Sequence, residues 1–377
     1  MKTLPTTGLA RDAVFANLEA YRQADMRWRT GRAFAYVYWA GTEAEEVGKA
    51  AYASFLTENG LDPTSFPSLL GFENDIVAML LSHLGGSPEG AGNFTSGGTE
   101  SIILAVKSAR EHARVHRPEL FSNGRRPAMV LPTTAHAAFH KAADYLEVRV
   151  ILVPVDHQTY KADVAAMAAA VDDDTVLIVG SAPSYAHGVI DPIEALGQIA
   201  LERNLLFHVD ACVGGFLLPW FRELGAPVPA FELSVPGVTS LSVDLHKYAF
   251  CPKGASLVLY NDRSLREKQI FACTEWSGYS VVNPAVQSSK TGGPLAAAWA
   301  VLHFLGKDGY REIARRTLEG TRALVAAIDA MDGLYVLGTP EFCMVAAASH
   351  DISVFHLVDE MKLRGWTIHG QFAFDGS

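Results

Sequence analysis

TVLIVGSAPSYAHGVIDPIEALGQIALERNLLFHVDACVGGF, residues 175–216, contains two apolar runs with an amphipathic segment between them. The runs are TVLIVG (175–180) and LLFHV (205–209), and the segment is 191–203. Near-continuous apolar runs separated by a helical segment are typical of parallel strands that are buried on both faces. This stretch therefore predicts a strand–helix–strand unit, and so an α/β domain.

The same alternation continues on both sides of this unit. Further strands are predicted at AMVL (128–131), VRVILVP (148–154), TSLSV (239–243) and ASLVLY (255–260). Helices are predicted over residues 9–29, 69–86, 161–171 and about 293–332. A mostly parallel sheet with helices on its faces is the fold class that this order predicts.

We divide the chain into an N-terminal segment (1–55), a large domain (56–305) and a smaller C-terminal α/β domain (306–377). Within the last one, LYVLG (334–338) and ISVFHLVDEMKLRGW (352–366) resemble the beginning of such a domain. A further strand would be needed to complete its sheet, so we expect this domain to be incomplete.

Composition limits the classes of function. The chain has 377 residues, 49% of them hydrophobic, and a formal net charge of −10. An acidic chain is unsuited to non-specific nucleic-acid binding, and no apolar run approaches the roughly 20 residues that span a bilayer. There is no signal-peptide pattern at the start, and the four cysteines lack the spacing of a disulfide framework or a zinc site. We expect a cytoplasmic protein without nucleic-acid, membrane or metal partners.

NFTSGGTESIILAVKSAR (93–110) is a polar turn that leads directly into an apolar helix. Free N–H groups and the helix dipole make such a helix start favourable for phosphate. Gly97 and Gly98 allow the backbone to approach an anion closely, and Thr99 adds a hydroxyl group. A glycine turn with a Ser/Thr cap and no ligand is the alternative.

Two further motifs follow predicted strands. Asp210 ends the strand at 205–209, and ligands of open α/β sheets bind beyond the carboxyl ends of strands; a helix cap or a buried salt bridge is the alternative for it. His136 and His140, after the strand at 128–131, are four apart, as helical metal ligands would be. No third ligand is obvious, however, and an imidazole can also stack on an aromatic cofactor or have no chemical role.

SVDLHKYAFCPKGAS (242–256) contains Lys247 in largely apolar surroundings. Burial disfavours an ammonium ion, so we expect a neutral, nucleophilic amine that can form a Schiff base with a carbonyl group. Asp244 is expected to orient nearby polar groups. A surface lysine pair formed by Lys247 and Lys253 is the alternative.

Together these motifs indicate one cofactor. A phosphate-binding turn, a stacking imidazole, a carboxylate for a pyridinium nitrogen and a lysine for an aldehyde are the partners of pyridoxal 5′-phosphate. Their order over about 150 residues, as a combination, is far more specific than any one of them.

The chain resembles the fold-type I pyridoxal-phosphate enzymes of the group II decarboxylase family, and within them the sphingosine-1-phosphate lyase subfamily. The resemblance covers residues 40–310 and lies in FPSLLGFENDIVAMLL, TSGGTESIILAVKSAR, AHAAFHKAA, HGVIDPIEAL, HVDACVGGF, DLHKYAFCPKG and TGGPLAAAWAVLHFLGKDGY. It implies the aspartate aminotransferase fold and a homodimer with shared active sites.

The resemblance also implies roles for individual residues. Lys247 would form the Schiff base, Asp210 would pair with the pyridine nitrogen, and His136 would stack on the ring. Tyr185 and Lys253 would lie near the substrate. The phosphate would be held by Gly97, Gly98, Thr99 and His246, and by Ser289 from the neighbouring subunit.

The sequence departs from the lyase subfamily at several places on the expected substrate side. Trp39 and Ala40 stand where relatives have tyrosine and histidine, and Asp62 stands where they have histidine. Lys290 replaces an arginine, and Tyr279 lies near a shifted tyrosine motif. These changes leave the expected cofactor residues in place.

The implied function is a carbon–carbon lyase that acts on an amine or amino-acid substrate. It would be an aldehyde-lyase of the sphingosine-1-phosphate lyase type, with amino-acid decarboxylation as the alternative. Aminotransfer, cysteine desulfuration or a catalytically degenerate homologue remain open, because the orientation of the substrate bonds decides the reaction and the sequence does not reveal it.

Overall fold

The central feature of the computed structural model, which describes residues 3–372, is a seven-stranded sheet. Its strands are β1 (Ala91–Thr95), β2 (Ala128–Pro132), β3 (Arg149–Val153), β4 (Thr175–Ser181), β5 (Leu206–Asp210), β6 (Ser240–Val243) and β7 (Ser256–Tyr260). Their order is β1-β7-β6-β5-β4-β2-β3, and β7 alone runs opposite to the other six strands. The predicted α/β class with a mostly parallel sheet is confirmed.

The six strands predicted from apolar runs, β2 to β7, are each found to within one residue at either end. Strand β1 is not among the predicted strands, because its residues AGNFT contain a glycine and an asparagine, both disfavoured in strands. Two small sheets add β8 (Phe271–Cys273) with β9 (Val281–Asn283), and β10 (Tyr335–Val336) with β11 (Ala347–Ala348).

Eleven α-helices are found in residues 3–372. They are α1 (Arg11–Arg22), α2 (Thr42–Ser54), α3 (Pro67–His83), α4 (Gly98–His116), α5 (Ala138–Leu146), α6 (Val164–Ala170), α7 (Ile193–Arg203), α8 (Leu218–Glu223), α9 (Arg263–Gln269), α10 (Gly292–Asp329) and α11 (Val354–Leu363). The helix predicted over 9–29 is shorter, because α1 ends at Arg22. Helix α10 is interrupted at Gly306, whose φ of 55° and ψ of −176° suit glycine alone. None of these helices has the length and apolarity needed to cross a membrane.

The sheet is buried on both faces. Along β4, Ile178 packs in the same cluster as Leu196 of α7, whereas Leu177 and Val179 pack with Phe139 of α5 in a second cluster. Successive side chains of a strand point to opposite faces, so a strand covered by helices on both sides is apolar at every position. This explains the uninterrupted run TVLIVG.

Contacts divide the chain into two units. One extends from Tyr38 to Ser349 and contains the large sheet. The other joins the segments up to Val37 and from His350 onward, where Ala33 forms a bridge with Thr367. These limits differ from the expected boundaries at 55 and 305, and the three-part division stays a prediction. The ends of its first and last parts, residues 1–2 and 373–377, lie outside the described residues.

The parallel strands bring the predicted motifs to one edge of the sheet. Strands β2, β4, β5 and β6 run in the same direction, so the loops after them emerge at the same side. Those loops, or the strand ends themselves, carry His136, Tyr185, Asp210 and Lys247.

Candidate active site

Lys247 lies in the turn after β6 and forms an ion pair with Asp244. Its Nζ is 2.9 Å from Asp244 Oδ2, and the carboxylate side chain is 2% exposed. Burial lowers the pKa of Lys247, but the negative charge of Asp244, with a smaller contribution from Asp210, outweighs burial and raises it overall. The expectation of a neutral amine is therefore wrong for the cofactor-free protein, because the apolar surroundings contain a buried counter-charge.

Asp210 ends β5 and is almost fully buried. Its Oδ1 accepts hydrogen bonds from the backbone N–H of Cys212 (3.1 Å) and from the hydroxyl of Ser242 (3.4 Å). Burial and the nearby carboxylates of Asp210 and Asp244 raise the pKa of the Cys212 thiol. Cys212 is therefore a neutral thiol that packs beside two carboxylates.

The glycine turn between β1 and α4 packs directly on this cluster. A Cβ on Gly98 would lie 2.9 Å from both carboxylate oxygens of Asp244 and 2.9 Å from Cys212 Sγ, so only glycine fits. A Cβ on Gly97 would be 3.7 Å from His246. The N–H groups of the first turn of a helix have no acceptor within the helix, so those around Thr99 can bind an anion.

His246 connects the lysine turn to the glycine turn. Its Nε2 is 3.6 Å from Asp244 Oδ2, and its Nδ1 accepts the N–H of Ala255 at 3.3 Å. Burial lowers the pKa of His246, which Asp244 only partly offsets. The imidazole is thus neutral at neutral pH and leaves the charge to Lys247.

Aromatic rings and a second lysine lie next to Lys247. The rings of Tyr38 and Tyr248 pack edge to face at 5.0 Å, and Lys253 Nζ lies 4.7 Å from the Tyr38 ring centroid. Lys253 Nζ also donates to the carbonyl of His246 at 3.3 Å. Burial raises the pKa of Tyr38 although Lys247 lowers it, and Tyr185 is close enough to contribute to the rise.

Two of the predicted residues have partners outside this cluster, and two others are exposed. Trp39 donates from Nε1 to Glu45, and the Asp62 carboxylate accepts bonds from Thr64 and Ser65 in its own turn. Ser289 is exposed. His136 is exposed just before α5, where its Nδ1 accepts the N–H of Ala138 (3.1 Å). Because α5 begins at Ala138, His136 and His140 do not share a helical face, and residues 3–372 contain no cluster of three potential metal ligands.

Lys290, expected on the substrate side, lies elsewhere. Its Nζ is 2.9 and 3.0 Å from the two carboxylate oxygens of Glu73, and both side chains are largely buried. Burial opposes the charge of Glu73, but Lys290 and the donors Asn93 and Phe94 outweigh it and lower the pKa of the carboxyl. Lys290 thus serves to fix the backbone of the segment that carries Ser289.

Known proteins resemble the chain over most of its length. The family model for the pyridoxal-dependent decarboxylase conserved domain matches residues 24–347. The chain belongs to the pyridoxal-dependent decarboxylase family. It is 40% identical to the sphingosine-1-phosphate lyase of Arabidopsis thaliana over 98% of this chain and 68% of that protein. It is 37% identical to the rat sphingosine-1-phosphate lyase 1, over 98% of this chain and 64% of that protein.

Solved structures of the pyridoxal-dependent decarboxylase family have the same fold. The sphingosine-1-phosphate lyase of Burkholderia pseudomallei superposes with a TM-score of 0.94 at 37% identity, over 98% of this chain and 85% of that one. The glutamate decarboxylase of Lactobacillus brevis superposes with a TM-score of 0.85 at 20% identity, over 97% of this chain and 85% of that one. At this identity the likeness shows the fold alone. The resemblance, the fold class, the cofactor and the enzyme class are confirmed: the protein is a pyridoxal-phosphate-dependent lyase.

The residues present fit this cofactor. The turn at Gly98 has no room for a side chain and can bind a phosphate, Asp210 offers a buried carboxylate, and Lys247 offers an amine. In addition, Asp244 Oδ1 is buried and has no hydrogen-bond partner among the described residues, a costly state for a carboxylate oxygen. A polar group at this place would relieve that cost.

The structure adds Tyr38 and Glu100 to the residues expected in the site and gives Asp244 a defined partner. Tyr38 lies beside Lys253 where Trp39 was expected to matter, and Asp244 is the direct partner of Lys247. Glu100 joins the glycine turn to the 285–289 segment by accepting from Ser96 and Val286. Asp244 had a sequence signal in its spacing to Lys247, whereas Tyr38 had none that was recognised.

Proposed function

We propose that this lyase cleaves the Cα–Cβ bond of a phosphorylated long-chain 3-hydroxy amine and releases an aldehyde. The support is the 40% identity to a sphingosine-1-phosphate lyase over nearly the whole chain, together with a cation and a phenol next to the reactive lysine. The proposal depends most on the position of Lys253, whose Nζ lies 4.7 Å from the centroid of the Tyr38 ring.

On the cofactor side, we propose the roles that the resemblance implies. Lys247 binds the cofactor aldehyde covalently, Asp210 accepts a hydrogen bond from the ring nitrogen, and His136 stacks on the ring. Gly97, Gly98, Thr99 and His246 hold the phosphate. When bound, the cofactor accepts the electrons of the bond that is broken at Cα.

On the substrate side, the cation and the phenol have separate tasks. Burial and the charge of Lys247 lower the pKa of Lys253, but its ammonium form still offers a charge to an anionic substrate group. The pKa of Tyr38 is raised by burial, so its phenol is protonated and donates a hydrogen bond. Tyr185, next to this pair, would help to orient the bond that is cleaved.

We further propose a cytoplasmic homodimer in which Ser289 of one subunit contacts the phosphate of the other. The segment that carries Ser289 is fixed from inside by Glu100 and Lys290, while Val282 and Val286 nearby are 66% and 64% exposed. An apolar exposed surface on a rigid backbone suits a subunit interface. The four cysteines are free, as in proteins of a reducing compartment.

The test is a product assay with the purified holoenzyme. It is given a phosphorylated long-chain 3-hydroxy amine, its unphosphorylated form and a panel of amino acids, and fatty aldehyde, carbon dioxide and keto acid are measured. Aldehyde from the phosphorylated amine alone, lost in Lys247→Ala, supports the proposal. Carbon dioxide from an amino acid would instead establish the decarboxylase alternative, and keto acid would establish aminotransfer.

A further inference from the structure

The sheet carries a buried polar patch next to Asp210. On β5, His208 and Asp210 are two residues apart, and on β6 Ser240 and Ser242 are two residues apart. The parallel register pairs His208 with Ser240 and Asp210 with Ser242, so all four side chains point to the same face. His208 and Ser242 have no solvent exposure. Polar groups are costly to bury at positions where the other strands carry apolar residues, so this patch calls for a functional explanation.

Hydrogen bonds join the patch into a chain that ends on Asp210. His208 Nδ1 lies 2.8 Å from Ser240 Oγ, and His208 Nε2 lies 3.1 Å from Ser242 Oγ. The hydroxyl of Ser242 in turn lies 3.4 Å from Asp210 Oδ1. From α5, the Phe139 ring packs against the His208 imidazole, with 5.9 Å between the two ring centroids.

One arrangement of protons satisfies these three contacts. A carboxylate can only accept, so the Ser242 hydroxyl donates to Asp210. The Ser242 oxygen can then accept the Nε2–H of His208, and the unprotonated Nδ1 accepts the hydroxyl of Ser240. Burial lowers the pKa of His208 to about 4 although Asp210 opposes this, so the imidazole is neutral, as the arrangement requires.

We propose that His208 and Ser242 are positioning residues that hold the Asp210 carboxylate in place for the ring nitrogen of the cofactor. The Ser242 hydroxyl and the Cys212 N–H both bind Oδ1, which leaves Oδ2 for the ligand. His208 fixes the direction of the Ser242 hydroxyl through its Nε2–H. The inference depends on the proposed role of Asp210.

Binding of two ligands by the cofactor-free protein tests this. One is pyridoxal phosphate, and the other is its carbocyclic analogue, in which the ring nitrogen is replaced by CH. Ser242→Ala should weaken binding of pyridoxal phosphate about tenfold, the effect of one hydrogen bond to a charged group, and leave binding of the analogue unchanged. Ser242→Thr keeps the hydroxyl and should restore binding.

Ser108→Ala is the matched control. Ser108 is equally buried, but it donates to the carbonyl of Leu265, away from this patch, so its loss should change neither affinity. Ser240→Ala acts on Asp210 only through His208 and should weaken binding of pyridoxal phosphate about threefold, with the analogue again unaffected. If Ser242→Ala does not fold, Ser240→Ala takes its place in the test.

The possible failures are distinguishable. If Ser242→Ala and Ser240→Ala weaken both ligands equally, the patch is only structural and the inference is overturned. If the unmodified protein itself does not prefer pyridoxal phosphate to the analogue, the proposed role of Asp210 fails, and the inference fails with it. Nitrogen NMR of labelled histidine gives an independent check, because an Nδ1–H tautomer at His208 contradicts the proposed chain.

Discussion

Lys247 and Asp244 form an ion pair in which the ammonium Nζ lies 2.9 Å from a carboxylate that is 2% exposed. Burial alone would favour a neutral amine, but the pair raises the pKa of Lys247. Only the neutral amine can attack an aldehyde. Asp244 therefore stabilises the cofactor-free site and disfavours the neutral form of the lysine.

Asp244→Asn should shift cofactor capture to lower pH. Without the carboxylate, the pKa of Lys247 falls, although Asp210 still raises it, and the fraction of free amine at neutral pH increases about tenfold for each unit of decrease. The measurement is the rate at which the cofactor-free protein develops pyridoxal-phosphate absorbance, as a function of pH. Asp308→Asn, at a 98% exposed side chain, is the control. An identical pH profile for both variants would contradict the role of Asp244.

Gly98→Ala should damage the site, and Gly320→Ala should not. The new Cβ at position 98 would be 2.9 Å from the Asp244 carboxylate and Cys212 Sγ, an overpacking that costs about 1–3 kcal/mol of unfolding free energy. Gly320 lies in α10 with no atom within 4 Å of an added Cβ, so alanine there should stabilise by about 0.5–1 kcal/mol. Denaturant unfolding and cofactor affinity are measured for both. Equal effects would show that the turn tolerates a side chain.

Asp191 should give the stability a defined pH dependence. Its buried carboxyl accepts the N–H groups of Ala162 and Ser181, yet burial raises its pKa from 3.8 to about 6. The folded state therefore binds this proton more tightly than the unfolded chain. The resulting stability is present below about pH 4 and is lost as the pH rises through about 6, by on the order of 3 kcal/mol.

Urea unfolding between pH 4 and 7 measures this contribution. In Asp191→Asn the pH-dependent part should disappear, while a constant loss remains because an amide accepts only through its single oxygen. Lys161 and Glu341 are the charged groups that also influence this carboxyl. A variant with the same slope as the unmodified protein would show that Asp191 does not titrate in this range.

The sequence predicted those parts of the fold that depend on local pattern. Strands β4 and β5 are buried on both faces, so their apolar runs alone define them. Strand β1 has no such run, and it is held by pairing with β7, from Ala91 opposite Tyr260. A strand that is stabilised by distant partners leaves little trace in its own residues.

The same distinction holds for the site. Lys247, Asp210 and the glycine turn directly follow or end strands, so the edge of the sheet gathers them. Tyr38 reaches the lysine through packing on Tyr248, and Lys290 pairs with Glu73 at a separation of 217 residues. Such contacts follow from tertiary packing, which is why Trp39 was expected in place of Tyr38 and Lys290 was expected near the substrate.

Glu100→Gln should loosen the link between the glycine turn and the 285–289 segment. The carboxylate accepts from Ser96 N and Oγ through one oxygen and from Val286 N through the other, and an amide can replace only one of these acceptors. If Ser289 contacts the phosphate of the neighbouring subunit, cofactor affinity falls about tenfold, and sedimentation shows a weaker dimer. Glu111→Gln, whose partners are Arg110 and Arg114, is the control. Unchanged affinity and assembly would contradict the proposed shared site.

Lys253→Met should raise KM for the phosphorylated substrate but not for the unphosphorylated one. Removal of the ammonium near Tyr38 takes away the charge that we assign to the anionic group, so KM for the phosphorylated amine should rise about tenfold to a hundredfold. KM for the unphosphorylated amine should stay the same, and Lys253→Arg, which keeps the charge, should retain most of the preference. Tyr38→Phe keeps the ring but removes the phenolic hydrogen bond, and we expect it to lower kcat with little change in KM. A parallel rise in KM for both amines in Lys253→Met would mean that the lysine only supports the aromatic packing. The proposal of a phosphorylated substrate would then lose its main structural support.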